Sequence, residues 1–174
     1  MFIREIEAKI LDIDRKDVEK KFEDFVARKT FDGEINALFF DFENGGFGNE
    51  KINLRLRKEN ERAVLTLKKF VEHDYAKMRD EIETEIGDFY EMKKILDGIG
   101  LVIVKKARKY RTEYEYKWTH FVLDKYLDEY DFIPEFLEIE GKNVEEVYRF
   151  AELLGYKKED CKAWTLNDLI KHYS

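Results

Sequence analysis

The chain has 174 residues, 44% of them hydrophobic and 41% charged, with 39 acidic against 32 basic side chains and a formal net charge of -7. That length and apolar content suffice for a single folded domain over residues 1–174 without covalent staples. The acidic balance excludes broad binding to a nucleic acid backbone or an anionic membrane, both of which need surplus positive surface. A single cysteine, Cys161, excludes a disulfide framework and a thiolate metal cluster. With no cleavable N-terminal apolar segment and no apolar run of membrane-spanning length, the expectation is a soluble cytoplasmic protein.

In chain order, the first stretch alternates with period two: Glu5, Glu7 and Lys9 on one face, Ile6, Ala8 and Ile10 on the other. Asp14 is placed to cap a helix in which Val18, Phe22, Phe25 and Val26 recur at helical spacing. Residues 31–43 read as a long strand ended by a turn or flexible loop at Asn44-Gly45-Gly46. Residues 51–58 alternate Ile52, Leu54 and Leu56 with Asn53, Arg55 and Arg57. After a hairpin at Glu59-Asn60-Glu61, residues 62–69 set Ala63, Leu65 and Leu67 opposite Val64, Thr66 and Lys68. Residues 79–86 then place Arg79, Glu81, Glu83 and Glu85 opposite Ile82, Thr84 and Ile86.

Asp88 and Glu91 have capping-box spacing ahead of a helix carrying Phe89, Met92, Ile95, Leu96 and Ile99 and ended by Gly98 and Gly100. The strand from Leu101 puts Val102, Val104, Lys106, Arg108 and Tyr110 on one face. Arg111 falls on the opposite alternation unless a bulge intervenes, and is a secondary candidate only. Residues 120–127 set Asp124 between Val122 and Tyr126, and residues 136–140, after Pro134, put Glu138 and Glu140 on one face. Asn143 and Thr165 cap two closing helices, the first ended by Gly155. Trp118, Trp164 and the tyrosines of residues 110–116 are expected to pack, with a lid over an organic group as the alternative.

Amphipathic helices must bury their apolar stripes, and the matching surfaces are the apolar faces of these strands. The charged faces then point away from the helices. Closing about eight antiparallel strands removes exposed edges and turns those faces inward, although an open sheet with one wet face satisfies the same pattern. Inside such a channel, two carboxylates about 5 Å apart repel by roughly 3 kcal/mol at an effective dielectric near ~20, so the acidic rows call for a cation. Oxygen ligands, one cysteine and three scattered histidines, His73, His120 and His172, suit a hard ion such as Mg²⁺ or Mn²⁺. The basic rows call for an anion with several oxygens, and a metal-chelated polyphosphate supplies both counter-charges.

Seven motifs occur in order: Glu5-Ile6-Glu7-Ala8-Lys9, Leu54-Arg55-Leu56-Arg57, Leu65-Thr66-Leu67-Lys68, Arg79-x-Glu81-x-Glu83, Lys106-x-Arg108, Leu123-Asp124 and Glu138-Ile139-Glu140. The ordered set resembles the CYTH superfamily, the triphosphate tunnel metalloenzymes, from residue 4 to about residue 141. The resemblance implies an α+β fold, an eight-stranded antiparallel β-barrel forming a charged tunnel flanked by amphipathic helices. It also implies that Glu5, Glu7, Glu81, Glu83, Asp124, Glu138 and Glu140 hold Mg²⁺ or Mn²⁺, with Glu85 as a further candidate. Lys9, Arg55, Arg57, Lys68, Lys106 and Arg108 would grip phosphates, with Arg79 joining them or neutralising its glutamate neighbours, and Lys9, Glu5 or Glu7 would orient attacking water. Ile133-Pro134-Glu135 stands where the family often has Leu-Gly. The implied activity is hydrolysis of tripolyphosphate or of a nucleoside or thiamine triphosphate. The alternatives are a class IV adenylate cyclase and a polyphosphate-binding module without turnover.

Overall fold

The computed structural model describes the backbone of residues 3–71 and 77–174 and the side chains of residues 6–70 and 79–174. His73 lies outside the described residues, as does the side chain of Glu5. The strands are β1 (Ile3–Ile10), β2 (Arg28–Phe42), β3 (Ile52–Glu59), β4 (Arg62–Val71), β5 (Lys77–Ile86), β6 (Leu101–Tyr116), β7 (Thr119–Tyr126) and β8 (Phe136–Gly141). They form a closed barrel in the order β1-β5-β4-β3-β2-β6-β7-β8, with β8 pairing back onto β1 and every pair antiparallel. Closure leaves no row of unpaired backbone groups at an edge. The eight-stranded barrel expected from the sequence is therefore the fold.

The helices are α1 (Arg15–Asp24), α2 (Gly46–Asn49), α3 (Phe89–Gly98), α4 (Val144–Leu153) and α5 (Leu166–Tyr173). Asp14 caps α1 by accepting from the amides of Lys16 and Asp17; Asp88, Asn143 and Thr165 cap α3, α4 and α5. The expected capping box is not closed by Glu91, whose carboxylate accepts instead from Lys94 at 2.7 Å. The turn or flexible loop expected at Asn44-Gly45-Gly46 is a turn that leads into the one-turn α2, where Asp41 accepts from the amides of Phe47 and Gly48.

Apolar alternation faces outward, and the helices cover it. One cluster joins Ile6, Ala8 and Ile10 of β1, Phe121 and Leu123 of β7, and Leu137 and Ile139 of β8 to Val18 and Phe22 of α1 and Val147, Phe150 and Ala151 of α4. A second packs Leu54 and Leu56 of β3 against Leu96 of α3. A third lies on the inward face, where Tyr126 and Phe136, in the parity of Asp124 and Glu138, pack against Leu169 of α5. Tyr114 and Tyr116 pack against the first cluster and Trp164 against the third, so these members of the aromatic set are packing residues. Phe121 is fully buried, its ring 5.1 Å from Phe22 and 5.2 Å from Phe150.

Phe121→Ala should therefore lower the unfolding free energy by about 3–5 kcal/mol in urea titration, whereas Phe132→Ala, on the exposed surface, should shift it by less than about 0.5 kcal/mol. Equal effects would mean that the core does not lie between helices and barrel.

Candidate active site

The inner faces of the strands surround a cavity of ≈ 1180 Å³. Its acidic side is built by β1 and β8. Their register sets Glu7 opposite Glu140 and Lys9 opposite Glu138, and alternation turns all four inward while Ala8 and Ile139 face the helices. Glu7 and Glu138 are only 4% and 6% exposed. Carboxylate oxygens of Glu7, Glu138 and Glu140 lie within 4.8 Å of one another. Lys9 is ion-paired with Glu138 and stands 3.6 Å from Glu7, with its ammonium 5.5 Å from the centre of the Phe136 ring. Arg111 Nη2 also reaches the cluster, 3.8 Å from Glu138. The donor set is all oxygen, with Glu7 and Glu138 buried and Glu140 half-buried, which fits a hard divalent cation. Glu5 sits two residues before Glu7 in β1, in register with Arg79 of β5.

Facing this cluster is a wall from β3, β4 and β5. Alternation turns Arg55, Arg57, Lys68 and Arg79 into the cavity, with Leu54, Leu56, Leu65 and Leu67 packed outside. Glu81 and Glu83 also line the cavity but are engaged within this wall. Lys68 pairs with Glu81 at 2.8 Å, and Arg57 pairs with Glu83 at 2.9 Å. Arg57 Nε stands 2.7 Å from Glu59, close enough for an ion pair but misaligned for a hydrogen bond. Thr66 donates to Glu83 at 3.1 Å. Glu85 pairs with Arg62 at 2.9 Å and is exposed. Glu81, Glu83 and Glu85 all lie outside the cluster of Glu7, Glu138 and Glu140.

On β6 the structure corrects the sequence reading. Lys106 is exposed on the outer surface, and Arg108 pairs there with Glu34 at 3.0 Å and Asp128 at 3.2 Å. The tunnel residues are instead Lys105, Lys109, Arg111 and Glu113. The cause is a bulge. Phe39 pairs with Lys105 and Phe40 with Ile103, leaving Val104 as an extra residue, so the alternation begun at Val102 reverses beyond it. Only this irregularity separates Arg111 from the face assigned to it, and periodicity alone carries no signal for it.

Asp124 also departs from expectation. It is 1% exposed and lies beneath the cations rather than with the acidic cluster. Arg111 Nε and Nη2 donate to its two oxygens at 2.8 and 2.7 Å, and Lys109 donates at 2.5 Å. Burial alone would raise the Asp124 pKa, but the Arg111 and Lys109 charges outweigh it and hold the carboxyl well below the usual range. For Arg111, burial is likewise outweighed by Asp124 and the guanidinium is held charged. Burial, and then the adjacent Arg111 charge, push Lys109 well below an ordinary lysine, so it is the cation of this trio that most readily gives up its proton.

Two rims complete the cavity. Where β6 turns into β7, Thr30, Phe31, Trp118, His120 and Lys142 line it. His120 Nδ1 and Thr30 Oγ1 donate to Glu113 Oε1 at 2.9 and 3.2 Å. The hydrogen bond to Glu113 raises the His120 pKa against the effect of burial. At the other rim Thr165, Leu166 and Asn167, at the start of α5, line the wall, and Lys105 donates to Asn167 at 2.5 Å.

Among the described residues, no helix is long and apolar enough to cross a membrane. The structure is similar to a conserved hypothetical protein from Pyrococcus furiosus, with TM-score 0.77 and 22% identity over 95% of this chain and 99% of that one. It is similar to a putative adenylate cyclase from Vibrio parahaemolyticus, with TM-score 0.79 and 14% identity over 96% and 97% of the two chains. A putative adenylyl cyclase from Hippeastrum, described as having a dominant triphosphatase activity, aligns with TM-score 0.65 and 18% identity over 99% and 96%. At these identities the likeness shows a shared fold. A search of curated protein sequences finds no significant match. Residues 4–161 match the CYTH domain, and the chain belongs to the CYTH family.

Proposed function

We propose that this chain hydrolyses the terminal phosphoanhydride of a triphosphate, with a divalent cation, Mg²⁺ or Mn²⁺, held by Glu7, Glu138 and Glu140 and with Glu5 as a further ligand. The observation that carries this reading is the pairing, across one cavity, of a largely buried tricarboxylate cluster with a wall of arginine and lysine. Arg55, Arg57, Lys68, Arg79, Lys109 and Arg111 grip the phosphate oxygens, the arginines through paired N–H groups matched to an oxyanion. An oxyanion beside Lys109 favours its protonated form against the effect of burial. A bound divalent ion supplies charge neutralisation on the phosphate oxygens. Lys9 and a carboxylate of β1 orient the water, whose oxygen bonds to the terminal phosphorus as the bridging P–O bond breaks, giving orthophosphate and the shortened chain. Glu81 and Glu83 hold Lys68 and Arg57 in place before the ligand arrives, and Asp124 positions Arg111 and Lys109 from below.

Incubation with tripolyphosphate and with ATP in Mg²⁺ or Mn²⁺ tests the reaction. Metal-dependent orthophosphate release is expected. Cyclic AMP with pyrophosphate would assign a cyclase instead, and metal-dependent binding without turnover would assign a binding module.

Glu140→Gln keeps the shape of the side chain but removes a ligand charge. It should abolish metal-dependent phosphate release and weaken Mg²⁺ binding by about tenfold or more. Unchanged activity across a metal titration removes Glu140 from the metal site.

Arg57→Ala and Arg111→Ala should each weaken tripolyphosphate binding by about tenfold or more, since each charge-assisted contact is worth about 1.5–3 kcal/mol. Arg57→Lys should recover part of that loss, lacking the planar fork. Lys106→Ala and Arg108→Ala, on the outer surface, should leave binding within about twofold. The reverse ranking in calorimetry would restore the uninterrupted alternation of β6.

Asp124→Asn leaves two buried cations without their counter-charge and should cost about 3–5 kcal/mol of stability in urea titration. The native carboxyl has a depressed pKa, so its contribution is full above the ordinary carboxylate range and is lost as pH falls from about 4 through the lower folded value. Melting of Asp124→Asn should correspondingly fall less steeply than the native chain below about pH 4.

A further inference from the structure

The turn between β6 and β7 consists of Lys117 and Trp118, with φ of 49° and 72°. A two-residue hairpin with positive φ at both positions is the type I′ turn, for which Asn-Gly is the preferred pair. A tryptophan in the left-handed region is a conformational outlier for a bulky side chain. Packing does not explain its presence, because Trp118 is 72% exposed. It does form part of the cavity wall, with the Lys142 ammonium 5.5 Å from the centre of its ring. Trp118 lies two residues along β7 from His120, and His120 is the register partner of Glu140. The Trp118 backbone thus stands one strand across and two residues along from that of Glu140, about 5 Å and about 7 Å in those directions.

The cavity, at ≈ 1180 Å³, is larger than the roughly 300–1,000 Å³ that ordinarily encloses an organic ligand, so the phosphates do not account for all of it. The rim holding Trp118 supplies an apolar face from Phe31 and hydrogen-bonding groups from the Thr30, Glu113 and His120 chain. These are the components of a site for a flat heteroaromatic ring: a π surface to stack on and polar groups at the rim.

We propose that Trp118 is the stacking platform for the base of a nucleoside triphosphate whose phosphates lie in the tunnel, with Thr30, Glu113 and His120 along the rim beside it. The proposal rests on the tunnel being a triphosphate site.

The experiment measures dissociation constants, in Mg²⁺, for a non-hydrolysable ATP analogue and for the methylene-bridged analogue of tripolyphosphate, on the native full-length chain and on Trp118→Ala and Trp118→Phe. Trp118→Ala should weaken the ATP analogue by about tenfold, the scale of base–aromatic stacking, and leave the inorganic analogue within about twofold. Trp118→Phe should recover most of the loss. The ATP analogue should quench indole emission in the native chain, and that quench should disappear in Trp118→Ala although Trp164 remains. Equal weakening of both ligands, or no change in either, overturns the stacking role while leaving the phosphate site standing. If the native chain binds neither analogue, the triphosphate reading fails and the base site with it.

Discussion

Charged side chains on the inside of a closed sheet cannot turn out to bulk water, so each must meet an opposite charge where it stands. The antiparallel register arranges this directly. Lys9 lies opposite Glu138, Lys68 opposite Glu81 and Arg111 opposite Asp124, and each of these register partners is an ion pair in the structure. A one-residue slip in any of these strand pairs would send a row of charge under the helices and a row of leucine into the tunnel. The charge pattern therefore specifies the barrel's register as firmly as the apolar pattern does.

These pairs are a poor source of stability, because removing two charges from water offsets most of their attraction. The free energy that holds the barrel comes from its outer face, where Phe22, Phe121 and Phe150 interlock and Leu54 and Leu56 pack on α3. Since successive side chains belong to opposite faces, the same strands build a conventional core outside and a site that is costly to form inside. The clearest separation is at β7, where Phe121 and Leu123 are core residues and Asp124 is a buried anion.

Where alternation is uninterrupted, the sequence alone locates both faces. Glu7, Lys9, Arg55, Arg57, Lys68, Glu81, Glu83, Glu138 and Glu140 all line the tunnel as their parity predicts. The reading fails on β6, because Val104 is an extra residue and a bulge in a run of β-formers leaves no compositional mark. Lys106 and Arg108 were thereby exchanged for Lys109 and Arg111. For Asp124 parity is right and the grouping is not: alternation says that the carboxyl points inward but not that two cations from the neighbouring strand will cover it. For Trp118 the sequence offers packing first and a lid over an organic group as the alternative, without choosing between them. What separates Trp118 from its aromatic neighbours, a strained backbone and its exposure, is a property of the turn's geometry.

The internal pairs also bear on how a ligand enters. A cation arriving alone at Glu7, Glu138 and Glu140 competes with Lys9, and displacing that ammonium leaves it without its partner. A phosphate chain arriving alone competes with Glu81 and Glu83 for Lys68 and Arg57, and leaves those carboxylates in turn. Each half-reaction strands a charge in a confined space, where an unpaired ion costs several kcal/mol. A metal–triphosphate complex carries both signs, so released Lys9 can meet phosphate oxygen while released carboxylates face the cation. On the proposed function, the two halves of the ligand are coupled through the protein's own ion pairs, and each should raise the affinity for the other by the same factor. Both exchanges occur within one cavity, so the two halves of the ligand meet the same set of ion pairs.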